Sequence, residues 1–280
     1  MLAGEIPGNH PLRRHSHWRG STFALAGLAA AVALSGCSSR GGVPEPASRQ
    51  GEDVLDLWRI LLGAGIALGV VVTALVLWTV VAYRRPRSAG PDDLPKQTDA
   101  NIPIEVFYTV VPLVIVALLF GLTMRTQDRI TKESDDPDLA VEVTGFQWGW
   151  RFRYPAQGVT ITGDANHPPT LTLPVGANVR LRLVAADVVH SFFVPAFLVK
   201  KDLIPGVDNS LDIRPTQPGR FPAVCAEFCG LDHWRMTFDV EVITPEAFQA
   251  FVADQQRVPG GPGSDGSGPG DLGQRASIAS

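Results

Sequence analysis

Residues 60–83 read ILLGAGIALGVVVTALVLWTVVAY, twenty-four positions without a charged side chain. A helix rises about 1.5 Å per residue and a bilayer's hydrocarbon core is about 30 Å thick, so this run is long enough to span. Arg84, Arg85 and Arg87 follow at once. Basic residues beside a span mark its cytoplasmic end. The chain therefore comes from outside, crosses, and arrives inside. A polar loop over 88–101 leads to a second apolar run of spanning length, VFYTVVPLVIVALLFGLTM at 106–124. That run returns the chain to the outer side, and everything from about residue 126 onward is expected there. Pro112 within it lacks an N–H and is a kink point. Gly63, Gly65, Ala67 and Gly69 leave room for close packing against another helix, which implies a larger membrane partner.

The N-terminal side agrees with this topology. Arg13, Arg14 and Arg19 precede STFALAGLAAAVALSGC, which is a basic start, a short apolar core and small residues at its end. That is the pattern of a secretory signal. Its ending, Leu34-Ser35-Gly36-Cys37, resembles the lipobox of bacterial lipoproteins, in which cleavage leaves a lipidated cysteine as the first residue. The expectation is a signal peptide over 1–36, lipidation at Cys37, a flexible tether over 37–52 and a membrane hairpin over 53–125.

Composition narrows the function classes. The 280-residue chain has a formal net charge of −4 and no stripe of clustered Lys/Arg, which argues against nucleic-acid binding. Its three cysteines, Cys37, Cys225 and Cys229, are too few for a disulfide framework, and no C-x-x-C-H occurs for covalent haem.

From residue 139 the pattern changes to short alternating runs rich in β-branched and aromatic residues. LAVEVTGFQWGWRFRYP, TLTLPVGANVRLRLVAAD, SLDIRPTQPGRFPAV and RMTFDVEVIT read as strands separated by Pro/Gly turns. An all-β sandwich or barrel over 126–257 follows. Phe146, Trp148 and Trp150 fall at period 2 and so share one face, which fits either a core or a docking patch. PEAFQAFVADQ (245–255) reads as a short helix. Residues 258–280 have the composition of a disordered tail.

One segment carries the chemistry. CAEFCGLDHWRM (225–236) supplies Cys225, Cys229, His233 and Met236, and His190 lies upstream in ADVVHSFFVP. Thiolate, imidazole and thioether together select copper over hard cations. A mononuclear blue-copper site needs one cysteine fewer. Two thiolates can bridge two copper ions, with one histidine on each and with Met236 and the Glu227 carbonyl as weak axial donors. A disulfide between Cys225 and Cys229 is the simpler reading in an oxidising compartment, but it leaves His190, His233 and Met236 unexplained. Zinc usually takes C-x2-C without methionine. Glu105, at the cytoplasmic mouth of the second span, is either an acid favoured at a helix N-terminus or a functional intramembrane acid. His167 reads as a surface-loop residue with no role.

Over about residues 52–250, hairpin, β-domain and metal loop resemble cytochrome c oxidase subunit II in order and in motif. The resemblance implies a cupredoxin-like domain with a binuclear copper A centre held by His190, Cys225, Glu227, Cys229, His233 and Met236. It implies magnesium at the subunit I boundary through the Glu227 side chain, and haem only in the partner subunit. GFQWGW then places Trp148 where electrons enter from cytochrome c. Glu105 corresponds to the acid at a proton pathway's mouth, and FLVKKDLIPGVDNS (197–210) to a segment touching subunit I. Implied partners are subunits I and III, membrane lipid and a cytochrome c that is soluble, tethered or fused. The implied location is the bacterial plasma membrane with both termini outside. By this resemblance the chain works within a proton-translocating oxidase and has no turnover alone. Asp187, Asp202, Asp208, Asp212 and Asp232 are candidates for steering a basic donor. A membrane-anchored copper delivery or storage protein is the competing class, but it needs no hairpin with an acid at its inner mouth. A copper-free quinol oxidase subunit would not retain the donors. A nitrous oxide reductase would need a further catalytic-cluster domain, for which this sequence has no candidate.

Overall fold

The computed structural model describes residues 42–84, 90 and 98–257. The signal segment with Cys37, the residues Arg85 and Arg87, and the tail 258–280 lie outside the described residues. Helix α1 runs Arg49–Ala82 and helix α2 Ile102–Thr131. Both are longer than their apolar runs because each begins at a polar cap. The Ser48 Oγ accepts the Gly51 N–H at 3.0 Å, and the Asn101 side chain accepts the Ile104 N–H at 3.4 Å. Pro112 sits inside α2 without ending it. Neither helix buries any of its most apolar stretch against the rest of the chain. In a bilayer that surface faces lipid or another subunit, and the helices satisfy their own backbone groups as a span must. The chain is a multi-pass membrane protein with an extracytoplasmic C-terminal domain.

Ten strands follow: β1 Leu139–Phe146, β2 Gly149–Tyr154, β3 Val159–Asp164, β4 Thr170–Pro174, β5 Val179–Ala185, β6 His190–Val194, β7 Val199–Leu203, β8 Asn209–Ile213, β9 Gly219–Cys225 and β10 Thr237–Ile243. They form two five-stranded sheets, ordered β3-β2-β1-β5-β8 and β4-β10-β9-β6-β7. The pairs β1–β5 and β4–β10 are parallel and the others antiparallel. The sheets face each other across one apolar core, a cupredoxin-like sandwich. Trp150 of β2 meets Phe238 of β10 at 4.9 Å between ring centroids, and Phe152 meets Phe238 at 5.5 Å. Burial of each such side chain contributes about 1.5–3 kcal/mol. Helix α3, Pro245–Arg257, closes one end, with Phe248 against Tyr154.

Three strands, β3, β6 and β7, fall outside the runs that read as strands in the sequence. β6 is buried at four of five positions, so its sequence HSFFV shows no polar face. β3 and β7 are edge strands with mixed burial. Pro222 lies inside β9, in the part that pairs with β10 but not with β6, where the missing N–H leaves the ladder intact.

The aromatic face expected of Phe146, Trp148 and Trp150 does not form. β1 ends at Phe146, a two-residue turn holds Gln147 and Trp148, and β2 returns from Gly149. Trp150 is fully buried, whereas Trp148 is half-buried at the turn. The tether expected over 37–52 also gives way at its C-terminal end. Ala47 and Ser48 are buried, and Ser48 bridges Pro215. The Ala47 N–H donates to the Ala196 carbonyl at 2.7 Å, and the Thr216 N–H to the Ala47 carbonyl at 2.9 Å. A Cβ on Gly51 would stand 2.9 Å from the Phe197 carbonyl oxygen, so only glycine allows so close an approach. The start of α1 is therefore docked on the β-domain.

Asp212, on β8, is 5% exposed. It accepts from Arg180 Nε at 2.7 Å, Arg180 Nη2 at 2.9 Å and the Ser134 N–H at 2.7 Å. Asp212→Ala is expected to cost about 2–3 kcal/mol, discounted because Arg180 keeps some solvent contact. Urea unfolding of the detergent-solubilised chain, followed by tryptophan fluorescence, measures it. Asp208→Ala, which removes an exposed partner of Arg182, should change stability little.

Candidate metal centre

Strand pairing assembles the donors. Antiparallel pairing of β6 with β9 sets Phe192 opposite Cys225. His190, two residues earlier on the same face of β6, then lies beside the loop leaving β9. That loop returns to β10 through a 3-10 turn at His233–Arg235, and the Cys225 N–H donates to the Met236 carbonyl at 3.0 Å, closing its neck. His190, Cys225, Cys229 and Met236 are buried, while His233 and Glu227 are half-buried.

All six predicted donors come together. The Cys225 and Cys229 sulfurs are 4.0 Å apart and are free thiols. A disulfide needs about 2.0 Å between sulfurs, so that reading does not describe this structure. His190 Nδ1 is 3.9 Å from Cys225 Sγ, and His233 Nδ1 is 3.5 Å from Cys229 Sγ. The Met236 sulfur lies 3.6 Å from Cys229 Sγ, and the Glu227 carbonyl oxygen 3.3 Å from Cys225 Sγ. The ligand atoms of His190, Cys225 and Cys229 lie within 4.8 Å of one another. Metal–thiolate bonds are about 2.3 Å, so a sulfur pair at this distance can share a metal between them. This buried, soft donor set fits a copper A-like metal site.

Burial raises the Cys225 thiol, but hydrogen bonding with His190 and then with the Glu227 and Ser191 backbone outweighs it, and its pKa falls below the ordinary value. Burial and then the charge on Cys225 push Cys229 upward. Burial would lower the His190 pKa, yet bonding to Cys225 and Asp187 raises it.

A supporting layer surrounds the donors. The other His190 nitrogen, Nε2, is 2.8 Å from Asp187 Oδ1. Asp187 Oδ2 accepts the Gln147 N–H at 2.7 Å. Gln147 Nε2 and Trp148 Nε1 both donate to the Cys229 carbonyl, at 2.8 and 3.2 Å. Gly230, at φ 117°, lies under Trp148, where a Cβ would come within 3.2 Å of the indole. Sequence reasoning did not single out Gln147, and it read Asp187 as a docking acid. The spacing of Asp187 three residues before His190 was the available signal.

The remaining candidates divide. Asp212 is buried in its ion pair, and Asp202 accepts the Ser191 hydroxyl at 2.7 Å. Asp232 is 3.8 Å from Arg235, and Asp208 pairs with Arg182 while staying mostly exposed. Asp212 is thereby withdrawn from any docking face. Glu105, far along the chain from the loop, accepts the Asn101 N–H at 2.9 Å and so completes the N-terminal cap of α2. His167 is on an exposed loop.

Residues 164–243 match the family described as cytochrome C oxidase subunit II, periplasmic domain. The probable cytochrome c oxidase subunit 2 of Streptomyces avermitilis is 38% identical over 271 residues, covering 82% of this chain and 84% of that protein. Cytochrome c oxidase subunit 2 of Mycobacterium tuberculosis is 31% identical over 302 residues, covering 85% of this chain and 82% of that one. Among solved structures, the periplasmic domain of subunit II of cytochrome oxidase of Bradyrhizobium japonicum is 29% identical and covers 44% of this chain and 97% of that one, with a TM-score of 0.42.

In the metal-free, reduced chain carrying Cys37→Ser, the ultraviolet thiolate absorbance should rise in two separate steps with pH. The first, from Cys225, falls below the ordinary thiol range and the second, from Cys229, above it. Cys225→Ser should remove the lower step. A single step at the ordinary thiol value would contradict the geometry.

Proposed function

The chain belongs to the cytochrome c oxidase subunit II family, and on that premise we propose that His190, Cys225, Glu227, Cys229, His233 and Met236 hold a binuclear copper centre that takes electrons from cytochrome c. The chain is a non-catalytic subunit, the electron-transfer partner of subunit I in a haem–copper oxidase complex. When bound, the copper pair supplies a one-electron relay between the donor and the haem of subunit I.

One observation carries the two-metal reading: each of two neighbouring thiols has its own histidine. His190 flanks Cys225 and His233 flanks Cys229, with Glu227 O on the Cys225 side and Met236 on the Cys229 side. The division would offer each of two ions one imidazole and one weak donor beside the two thiols. The rest of the chain restrains this arrangement. β6 and β9 fix His190 and Cys225 as parts of a packed sandwich, and Trp150 and Phe192 wall off the buried side from water. Rigid, dry surroundings reduce the rearrangement that accompanies a change of charge, which favours fast electron transfer.

Trp148 is the point at which the donor's electron enters the domain. It is half-buried and its indole N–H is bonded to the Cys229 carbonyl, which ties its ring to the donor loop. The Glu227 carboxylate would offer an oxygen to a magnesium ion at the boundary with subunit I. Glu105 opens a proton pathway into subunit I, a role added to its capping bond. Subunit III belongs to the same assembly. The organisation follows the same reading: a cleaved signal over 1–36, lipidation at Cys37, a hairpin over 53–125, the copper domain over 126–257 and a tail over 258–280. The segment 37–52 serves as a tether only until it docks at Ala47.

Copper loading of the full chain in detergent, with a metal count and an electron paramagnetic resonance spectrum, tests the centre. One unpaired electron shared equally by two copper nuclei is expected. A single-copper signal would sink the binuclear reading and favour delivery or storage. In the assembled oxidase, Trp148→Phe should lower kcat for cytochrome c oxidation about tenfold or more, about 1.4 kcal/mol of barrier, with copper content unchanged. Wild-type turnover in that variant would remove Trp148 from the electron path.

A further inference from the structure

Asp187 is the only side chain described here that bonds both to a donor histidine and to the turn carrying Trp148. Its Oδ1 lies 2.8 Å from His190 Nε2 and accepts the Val188 N–H at 2.7 Å, while Oδ2 accepts the Gln147 N–H at 2.7 Å. Three of the roughly four lone-pair positions of the carboxylate are therefore used inside the domain. The bond to Nε2 selects one tautomer. With the proton held on Nε2, the Nδ1 lone pair is free toward Cys225.

The contacts form a closed circuit. From His190 Nδ1 it passes to Cys225 Sγ and Cys229 Sγ, then along the Cys229 backbone to its carbonyl. That carbonyl accepts from Gln147 Nε2 and Trp148 Nε1, and the Gln147 N–H returns to Asp187 and so to His190. Gly145 lets β1 lie against the same imidazole, since a Cβ there would stand 3.1 Å from the His190 ring. The Ala186 N–H donates to the Gly145 carbonyl at 2.9 Å, which holds the β5–β6 loop beside that strand. Two segments distant in sequence thus meet at one carboxylate, and the donor loop joins them through the Cys229 carbonyl.

We propose that Asp187 is a positioning residue that sets the His190 ring and the Trp148 turn relative to one another, coupling the geometry of the metal site to the place where the electron enters. This rests on the copper and Trp148 assignments above, and it departs from a role for Asp187 as a docking charge. A docking charge would present its oxygens to the partner. Here the side chain is one-third exposed and its oxygens are turned inward.

The test compares wild type with Asp187→Ala and Asp187→Asn, the latter keeping an acceptor oxygen without the charge. In the full chain in detergent, copper affinity is read by competition with a chelator, alongside the paramagnetic spectrum and the reduction potential. Asp187→Ala should weaken copper binding about 10–100-fold and change both spectrum and potential, and Asp187→Asn should recover much of the affinity. In the assembled oxidase, Asp187→Ala should lower kcat for cytochrome c oxidation with little change in KM. Wild-type affinity, spectrum and potential, with only KM raised and its salt dependence weakened, would overturn the proposal and make Asp187 a docking charge. A metal-free readout separates this from the copper assignment: hydrogen exchange at the Gln147 amide should accelerate in Asp187→Ala. Acceleration in a protein whose wild type binds no copper pair would support the positioning link while the metal reading fell. Unchanged exchange would overturn the link itself.

Discussion

The register between β6 and β9 is the constraint on which the site depends. With Phe192 opposite Cys225, His190 projects to the same side as the thiol and lies beside the loop that carries the other donors. Side chains alternate along a strand, so a slip of one residue would turn His190 away and expose the Phe192 face. The packing that forbids this slip is apolar. Phe192 lies against Trp150 and Phe238, and all three are essentially excluded from water. The metal site is thus held in place by packed aromatic side chains that cannot themselves bind metal.

The same core determines what happens at the rim. β1 and β2 end where the sandwich ends, so Gln147 and Trp148 occupy a turn above the donor loop rather than a strand face. Their bonds to the Cys229 carbonyl satisfy a loop acceptor that no sheet partner could reach. Asp187 does the corresponding work for the buried imidazole. A buried, hydrogen-bonding ring without such a partner would be costly. Capture of these polar groups by neighbours from other strands makes the loop a defined receptacle before any metal is considered.

At the opposite end of β6 the domain is joined to the membrane. Ala47, Ser48 and Gln50 bond to the 3-10 turn after β6, to the end of β8 and to the stretch after it, and α1 begins there. The Asp53–Arg129 pair, 3.4 Å apart, links the outer ends of the two helices. The hairpin and the β-domain are connected through paired backbone at Ala47, Ser48 and Arg49, which restricts their relative movement. That arrangement suits a subunit that must hold its redox site at a set position over a partner in the bilayer.

Much of this was legible in the sequence because it depends on local composition. Two long charge-free runs, the first followed by Arg84, Arg85 and Arg87, specified the hairpin and its direction, since a lone segment in lipid must satisfy its own backbone groups as a helix. Alternation revealed β1, β2, β5 and β10, which have one wet face, and the C-x3-C-x3-H-x2-M spacing marked the donor loop because its donors are close along the chain. The tertiary structure decided what depends on distant pairing. It revealed β6 as a strand despite burial at four of its five positions, seated His190 against a thiol 35 residues away, split the GFQWGW aromatics between core and rim, and turned Asp187 inward. It also docked Ala47 and Ser48, which composition alone had left in a tether. Periodicity reports which side of an element is apolar, but not which element lies opposite. Register and long-range hydrogen bonding are settled only when the two sheets close on a common core.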